Sequence, residues 1–286
     1  MNDVIGVIGG SGLYLLDGFE GVRDVVVETP FGPTSDAISV GSLGGHEVAF
    51  LPRHGRGHRL LPSEVPYLAN VWAMKSLGVS RVFSVSAVGS MKESIALSKP
   101  VLVDQFIDRT VNRRSTFFGD GIVGHVSMAD PTCGALRGLL ESAAQRVGVD
   151  VVQGGTYVCM EGPQFSSRAE SLQYRQLGVD VIGMTNATEA KLAREAGICY
   201  ATIAIPTDFD CWHRSEADVT VEAVIARLSI GIGRARLMVL AAIDSMGEVG
   251  PCRCRDALVG AIMTDPARIS QQTKSRLAPI LGSLLS

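Results

Sequence analysis

The stretch Ala201–Trp212, ATIAIPTDFDCW, decides how this chain folds. Ala201–Ile205 is apolar, partly β-branched and uncharged, which predicts a buried strand. The strand is expected to break at Pro206, and the carboxylates Asp208 and Asp210 follow it. In open α/β sheets, ligands sit beyond the carboxyl ends of the strands. A carboxylate buried without a partner is costly, so two of them at a strand end are candidate substrate contacts. The competing reading is a plain strand-to-helix loop, with Asp208 capping a helix and Asp210 facing water.

Outward from this strand the pattern repeats. Val4–Ile8 is a short apolar strand running into Gly9-Gly10-Ser11-Gly12, where small residues let backbone N–H groups approach an oxyanion. The spacing is not a dinucleotide fingerprint, because Leu15 stands where its third glycine would fall, and no acidic ribose partner follows. Val25–Thr29, Ala37–Val40 and Glu47–Leu51 read as short antiparallel strands. Pro52-Arg53-His54-Gly55-Arg56-Gly57-His58-Arg59 then concentrates cations at a strand end, and a guanidinium presents a planar fork to phosphate oxygens. Arg56 and Arg59 read equally well as a solvated loop; Arg53 and His54, at the strand end, less so.

Tyr67–Lys75 is expected to be an amphipathic helix and Val79–Val85 a strand leading into a second small-residue turn, Ser86-Ala87-Val88-Gly89-Ser90. Further strands are expected over Val101–Ile107, Gly154–Met160 and Val179–Met184. Helices are expected over residues 134–147, Ser167–Leu177, Glu189–Ala196 and Val221–Ile243. Taken alone, Phe165 reads as core and Thr185 as a helix N-cap. The alternation of strand and helix implies an α/β fold: a single domain over 1–286 with a mixed, twisted β-sheet flanked by helices, and 244–286 a C-terminal helical tail packing late or against a neighbour.

Composition narrows the function classes. A net charge of −3 argues against a nucleic-acid surface, no uncharged apolar run of about 18 residues occurs along the chain, and MNDVIGVIGG enters the first strand without a basic leader, so a cytoplasmic protein without membrane contact is expected. The six cysteines show no CxxC or histidine spacing. No metal site is expected, the first four read as isolated core thiols, and Cys252-Arg-Cys254 reads as two free thiols.

In this order and spacing, GVIGGSGLY, PRHGRGH, VDQFIDRT, EGPQFSSRAES, MTNATEAKLAREAGICYA and TDFDCW make the chain resemble the methylthioadenosine phosphorylases, a branch of the trimeric purine nucleoside phosphorylase family. The resemblance spans roughly residues 4 to 245. It implies attack of inorganic phosphate, a co-substrate rather than a cofactor, on C1′ of a purine nucleoside. It places phosphate among Ser11, Arg53, His54, Ser86, Ala87 and Thr185, the ribose against the backbone of Met184, and the purine against Phe165. Asp208 becomes the acid at purine N7 and Asp210 its partner in base recognition. Ser166 and Val221 fall on substrate-tuning positions, Val221 beside the 5′ group, and His125 on a residue lent by an adjacent subunit of a homotrimer or a dimer of trimers. The acidic pair suits a 6-aminopurine, because carboxylates accept from its exocyclic amine. Phosphorolysis of methylthioadenosine, for methionine and purine salvage, is therefore the expected activity. A broader purine nucleoside phosphorylase, a hydrolase and a non-catalytic nucleoside binder are the alternatives.

Overall fold

The computed structural model describes residues 3–10, 18–213, 221–250 and 252–282, except the side chains of 221–226 and 248. Ser11 therefore lies outside the described residues, as does the side chain of Val221.

The decisive strand is β11 of the sheet. In chain order the strands are β1 (Val4–Gly9), β2 (Glu20–Val25), β3 (Ile38–Leu43), β4 (His46–Pro52), β5 (Val79–Ser90), β6 (Val101–Val103), β7 (Gln105–Arg109), β8 (Val152–Gln153), β9 (Thr156–Met160), β10 (Val181–Gly183) and β11 (Cys199–Asp208). The helices are α1 (Tyr67–Ser76), α2 (Gly134–Arg146), α3 (Arg168–Gln176), α4 (Asn186–Glu195), α5 (Val221–Asp244), α6 (Gln271–Arg276) and α7 (Ala278–Leu281).

The mixed sheet runs β2-β3-β4-β1-β5-β10-β9-β7, and β11, β6 and β8 branch from β5. Strand β5 is the junction. It pairs in parallel with β1 and with β11, and its last residues, Gly89 and Ser90, turn to antiparallel pairing with β10. Such a branch point splays the strand ends apart, and it is there that the acidic pair stands.

One apolar layer packs α1, α4 and the C-terminal segment on the sheet through Met74, Leu192, Leu277 and Ile280. The opposite layer packs α2 and α5 through Leu136, Leu140, Met238 and Val239. The result is a helix–sheet–helix sandwich, as an alternating strand and helix pattern demands.

Several expectations shift in detail. Strand β11 does not break at Pro206 but continues to Asp208 across an irregularity in its register with β5. The Pro206 carbonyl accepts from the Ser98 N–H, so a Pro206 N–H would point the same way, beyond the three residues paired with β6. The missing donor breaks no ladder bond. Ser86–Ser90 is likewise strand, the end of β5, rather than a turn. Val101–Ile107 is split at Asp104 into β6 and β7. The first antiparallel strand lies at Glu20–Val25 rather than Val25–Thr29. Helix α1 is buried nearly all round rather than amphipathic, because α7 and α4 cover it as well as the sheet. Beyond Asp244, among the described residues, the helical tail is realised as short 3₁₀ turns, α6 and α7, and it packs on this chain's own core through Leu258, Ala261 and Ile269.

Candidate active site

Asp208 ends β11 and is partly buried. Its Oδ2 accepts from the Thr207 hydroxyl at 2.8 Å and its Oδ1 from the Asp210 N–H at 2.8 Å. Burial pushes the carboxyl above its ordinary range; those two donors work the other way without offsetting it. Asp210 is 6% exposed and adopts a left-handed backbone conformation, φ 49°. A non-glycine residue held there is a strain that clusters at functional sites. Burial raises its pKa too, against the nearby Ser171 and Ser166 hydroxyls. Its Oδ2 has no hydrogen-bond partner among the described residues. Asp208 therefore does not cap a helix, and Asp210 does not face water but keeps an acceptor inside a buried site.

The loop carrying them is pinned. Trp212 Nε1 donates to the Ser90 carbonyl at 2.8 Å, and the Arg175 guanidinium stacks on the Trp212 ring at 3.6 Å. Gly89 makes the closest approach, since a Cβ there would lie 2.9 Å from Asp208 Oδ1. Gly89→Ala is expected to displace that carboxylate and lower kcat at least about tenfold, by analogy with the penalty for misplacing reacting groups. Steady-state kinetics checks this, with circular dichroism confirming an intact fold.

About three strand steps back along β5, roughly 10 Å away, lies a second cluster. Ser86 is buried at the register position facing Ala204, and Ala87 is the one exposed residue of β5. The Tyr157 hydroxyl lies beside the Thr185 backbone and the Ser86 side chain, within the field of Arg53. Neither Tyr157 Oη nor Ser86 Oγ closes a hydrogen bond among the described residues. Unpartnered buried hydroxyls are uncommon and ask for an explanation. Gly183 is required here, because any Cβ would collide with the Tyr157 hydroxyl.

Thr185 occupies the N-cap position of α4, yet its side chain does not cap. Its Oγ1 donates to Asn186 Oδ1 at 3.1 Å instead. The N-terminus of α4, with its unsatisfied N–H groups and positive dipole end, opens at this cluster.

Arg53 differs from the sequence expectation. Its fork does not face an open anion site: Nε and Nη2 bind the Glu189 carboxylate at 2.5 and 3.2 Å, Nη2 also reaches Ser84 Oγ at 2.6 Å, and Nη1 reaches the Val85 carbonyl at 2.9 Å. Of the five guanidinium N–H groups, four are engaged among the described residues, and one on Nη1 has no partner there. Burial opposes the Arg53 charge, and Glu189 more than offsets that opposition, so the pair stays ionised. A network of Ser84, Asn186, Tyr200 and Thr202 completes the hydrogen bonding.

His54 is buried beside it. Its Nδ1 lies 2.9 Å from the Leu60 carbonyl, and its ring stacks on His58 with centroids 4.4 Å apart. Burial first, and the Arg53 charge second, push its pKa down to about 4. With Nδ1 donating to the carbonyl, the neutral ring presents Nε2 as an acceptor, suited to a protonated phosphate oxygen or a hydroxyl. A His buried neutral favours the folded state above its unfolded pKa near 6.5 and loses that stability as pH falls toward 4. His54→Asn is expected to flatten the acid side of the stability profile between those limits, as read by urea unfolding at a series of pH values.

The remaining expected contacts lie as follows. The Met184 carbonyl is already bound by Arg113 Nη1 at 2.5 Å, which limits its backbone role toward a ribose. Phe165 is not core but 46% exposed. Ser166 is buried, with its Oγ 3.7 Å from Met160 Sδ, and its carbonyl accepts from Cys211 Sγ at 3.3 Å. His125 is exposed, its backbone N–H tied to the Ala261 carbonyl, next to the exposed Val123 and Met263, whose backbones pair with each other. Val221 opens α5.

Two residues escaped the sequence reading. Tyr157 looked like ordinary strand filling. Arg113 binds Glu161 Oε1 at 3.0 Å, the Glu161 and Met184 carbonyls and the Tyr67 hydroxyl, so it fixes the loop that carries Phe165. Its sequence context, the loop NRRSTF, gave no local sign of that.

Comparison with known proteins fits this geometry. The sequence matches the profile of the Phosphorylase superfamily over residues 4–244. The chain belongs to the phosphorylase superfamily. Among relatives, the S-methyl-5'-thioadenosine phosphorylase of Geobacter sulfurreducens is 56% identical, covering 99% of both chains. That of Koribacter versatilis is 51% identical over 99% of this chain and 97% of its own. A crystal structure of a methylthioadenosine phosphorylase from an antarctic soil metagenomic library superposes with a TM-score of 0.92 at 49% identity, covering 98% of this chain and 99% of that one. The resemblance read from the motifs, and the single-domain α/β fold with a mixed sheet, are both borne out. The superfamily match ends at residue 244, the end of α5, so the packed C-terminal segment lies outside it, while the relatives named above match it too.

Proposed function

We propose that the protein cleaves S-methyl-5'-thioadenosine with inorganic phosphate, giving adenine and 5-methylthioribose 1-phosphate. The observation that carries this reading is the Asp208–Asp210 pair, one carboxyl partly and one fully buried, both with raised pKa values, at the end of β11. It is supported by relatives of that name at about half identity over their full lengths.

The chemistry uses each group in turn. As the glycosidic bond breaks, the departing purine gathers negative charge and needs a proton at N7. Asp208, pushed toward its protonated form, is suited to supply it. The unpartnered Asp210 Oδ2 is suited to accept from a 6-amino group. On the other side, Ser86, Thr185, the α4 N-terminus and the fifth N–H of Arg53 can hold phosphate against C1′, with Ser11 and His54 joining them. There it stabilises the cationic sugar and stands ready to attack. The exposed Phe165 offers a face to the purine, and the family resemblance assigns Val221, the first residue of α5, to the methylthio group. No further cofactor enters this scheme.

The decisive experiment is adenine release from methylthioadenosine, adenosine and inosine, each with and without phosphate. Turnover without phosphate would point to a hydrolase, and equal turnover of inosine to a broader purine nucleoside phosphorylase. Phe165→Ala is expected to raise the KM for nucleoside about tenfold, the worth of one aromatic stack, while leaving the KM for phosphate within about twofold; equal rises in both would remove the stacking role.

A homotrimer, or a pair of trimers, fits the exposed His125 and its apolar neighbours Val123 and Met263. Sedimentation equilibrium tests it, and His125→Ala should raise the KM for methylthioadenosine if a neighbouring subunit lends that residue. Among the described residues no helix is long and apolar enough to cross a membrane, and a cytoplasmic location agrees with that.

A further inference from the structure

Four of the six cysteines are not isolated. Cys133, Cys199, Cys252 and Cys254 converge so that their four sulfurs all lie within 4.8 Å of one another. They come from three places far apart in the chain: the N-cap of α2, the first residue of β11, and the segment after α5. Three are buried and Cys252 is partly so. All are free thiols, with Cys199 and Cys252 Sγ 3.1 Å apart.

We propose that these four cysteines form a tetrathiolate site for a soft divalent cation, zinc in the first instance, that fastens the C-terminal segment to the sheet.

The geometry favours a metal over two disulfides. Zinc–sulfur bonds of about 2.3 Å in a tetrahedron set every sulfur–sulfur distance near about 3.8 Å. A tetrahedral ion needs all six distances short, as found here, whereas two disulfides need only two. An all-sulfur set selects zinc or a comparably soft ion and rejects magnesium and calcium. Four thiolates around a divalent ion carry excess negative charge, and the surroundings answer it. The Leu136 N–H donates to Cys133 Sγ at 3.5 Å and Arg194 Nη1 to Cys254 Sγ at 3.7 Å. Such outer contacts commonly accompany metal-bound thiolates.

The site is closed, with four protein ligands and no open position, which marks it as structural. Cys199 begins the strand that Asp208 ends, nine residues on. At about 3.3 Å per residue that is roughly 30 Å from the candidate active site. The inference is therefore independent of the proposed reaction. Binding releases the thiol protons to solvent and involves no oxidation or reduction.

The test is metal content of the full-length chain, produced with zinc in the medium and purified under reducing conditions without chelator. About one zinc per chain is expected by mass spectrometry of the metal. In Cys199→Ser and Cys254→Ser the content should fall at least fivefold, and in Cys211→Ser, outside the cluster, it should not change. Replacing zinc with cobalt in the unmodified chain, which needs no variant to fold, should give intense sulfur-to-cobalt absorption in the near ultraviolet and visible bands of a tetrahedral tetrathiolate. A metal-free chain whose four thiols titrate freely, or whose mass is lower by two or four hydrogens through disulfides, would overturn the proposal. So would unchanged zinc in the two cluster variants.

Discussion

Asp208→Asn should abolish most turnover while making the protein more stable. The asparagine keeps the shape, can still accept from a 6-amino group and can donate to N7 as a hydrogen bond, but has no proton to give up. We expect kcat to fall at least tenfold, about 1.4 kcal/mol of barrier, with the KM for nucleoside moving within about threefold. A smaller loss of rate would show that the acid lies elsewhere.

The stability half follows from the same burial. The folded-state pKa of Asp208 is raised, so the protonated group's contribution to stability is present below its unfolded value and is lost as pH rises through the folded one. At neutral pH the wild type carries that loss and the variant does not. A gain of about 1 kcal/mol would raise Tm by about 2 °C in a domain of this size. Scanning calorimetry at pH 7.5 reads it. The pH–rate profile gives an independent check. Wild-type turnover should fall as pH rises and Asp208 gives up its proton, and the variant's residual rate should lack that limb.

Glu189→Ala should be the most damaging single change to the fold. It leaves the Arg53 guanidinium, 2% exposed, without its counter-ion, and also strips an acceptor from Ser84 and Tyr200. Breaking one side of a buried pair costs about 3–5 kcal/mol, a fall in Tm of about 10 °C. Replacing both members, Arg53→Met with Glu189→Leu, removes the uncompensated charge and should recover most of that stability, because a buried ion pair is often no better than apolar residues of the same volume. The double variant separates structure from function. If the fifth N–H of Arg53 holds phosphate, the refolded protein will need far more phosphate for half-maximal rate. Normal phosphate dependence in a stable double variant would reduce Arg53 to a structural ion. Arg53→Ala alone cannot make that distinction, since it buries Glu189 unpaired.

Strand β11, the helix that follows Thr185 and the long helix α5 were legible in the sequence, because each is a sustained run whose period or apolarity is local information. The placing of Asp208 and Asp210 beyond a strand end was legible for the same reason: strand ends in parallel sheets gather on one side. Motifs in series named the family, and the comparisons agree with them.

Other features were set by contacts between distant residues, to which no local pattern is sensitive. Arg53 read as an open fork until Glu189, 136 residues away, was found holding it. Pro206 read as a break because the sequence alone does not reveal which edge of β11 lacks a neighbour. Tyr157 and Arg113 became part of the site only when β9 and the 110–116 loop were folded against β10. The clearest case is sulfur. Four cysteines without metal-ligand spacing were drawn within one coordination sphere by the packing of α2, β11 and the C-terminal segment, since a ligand set is defined by distances in space and the chain order leaves those distances open.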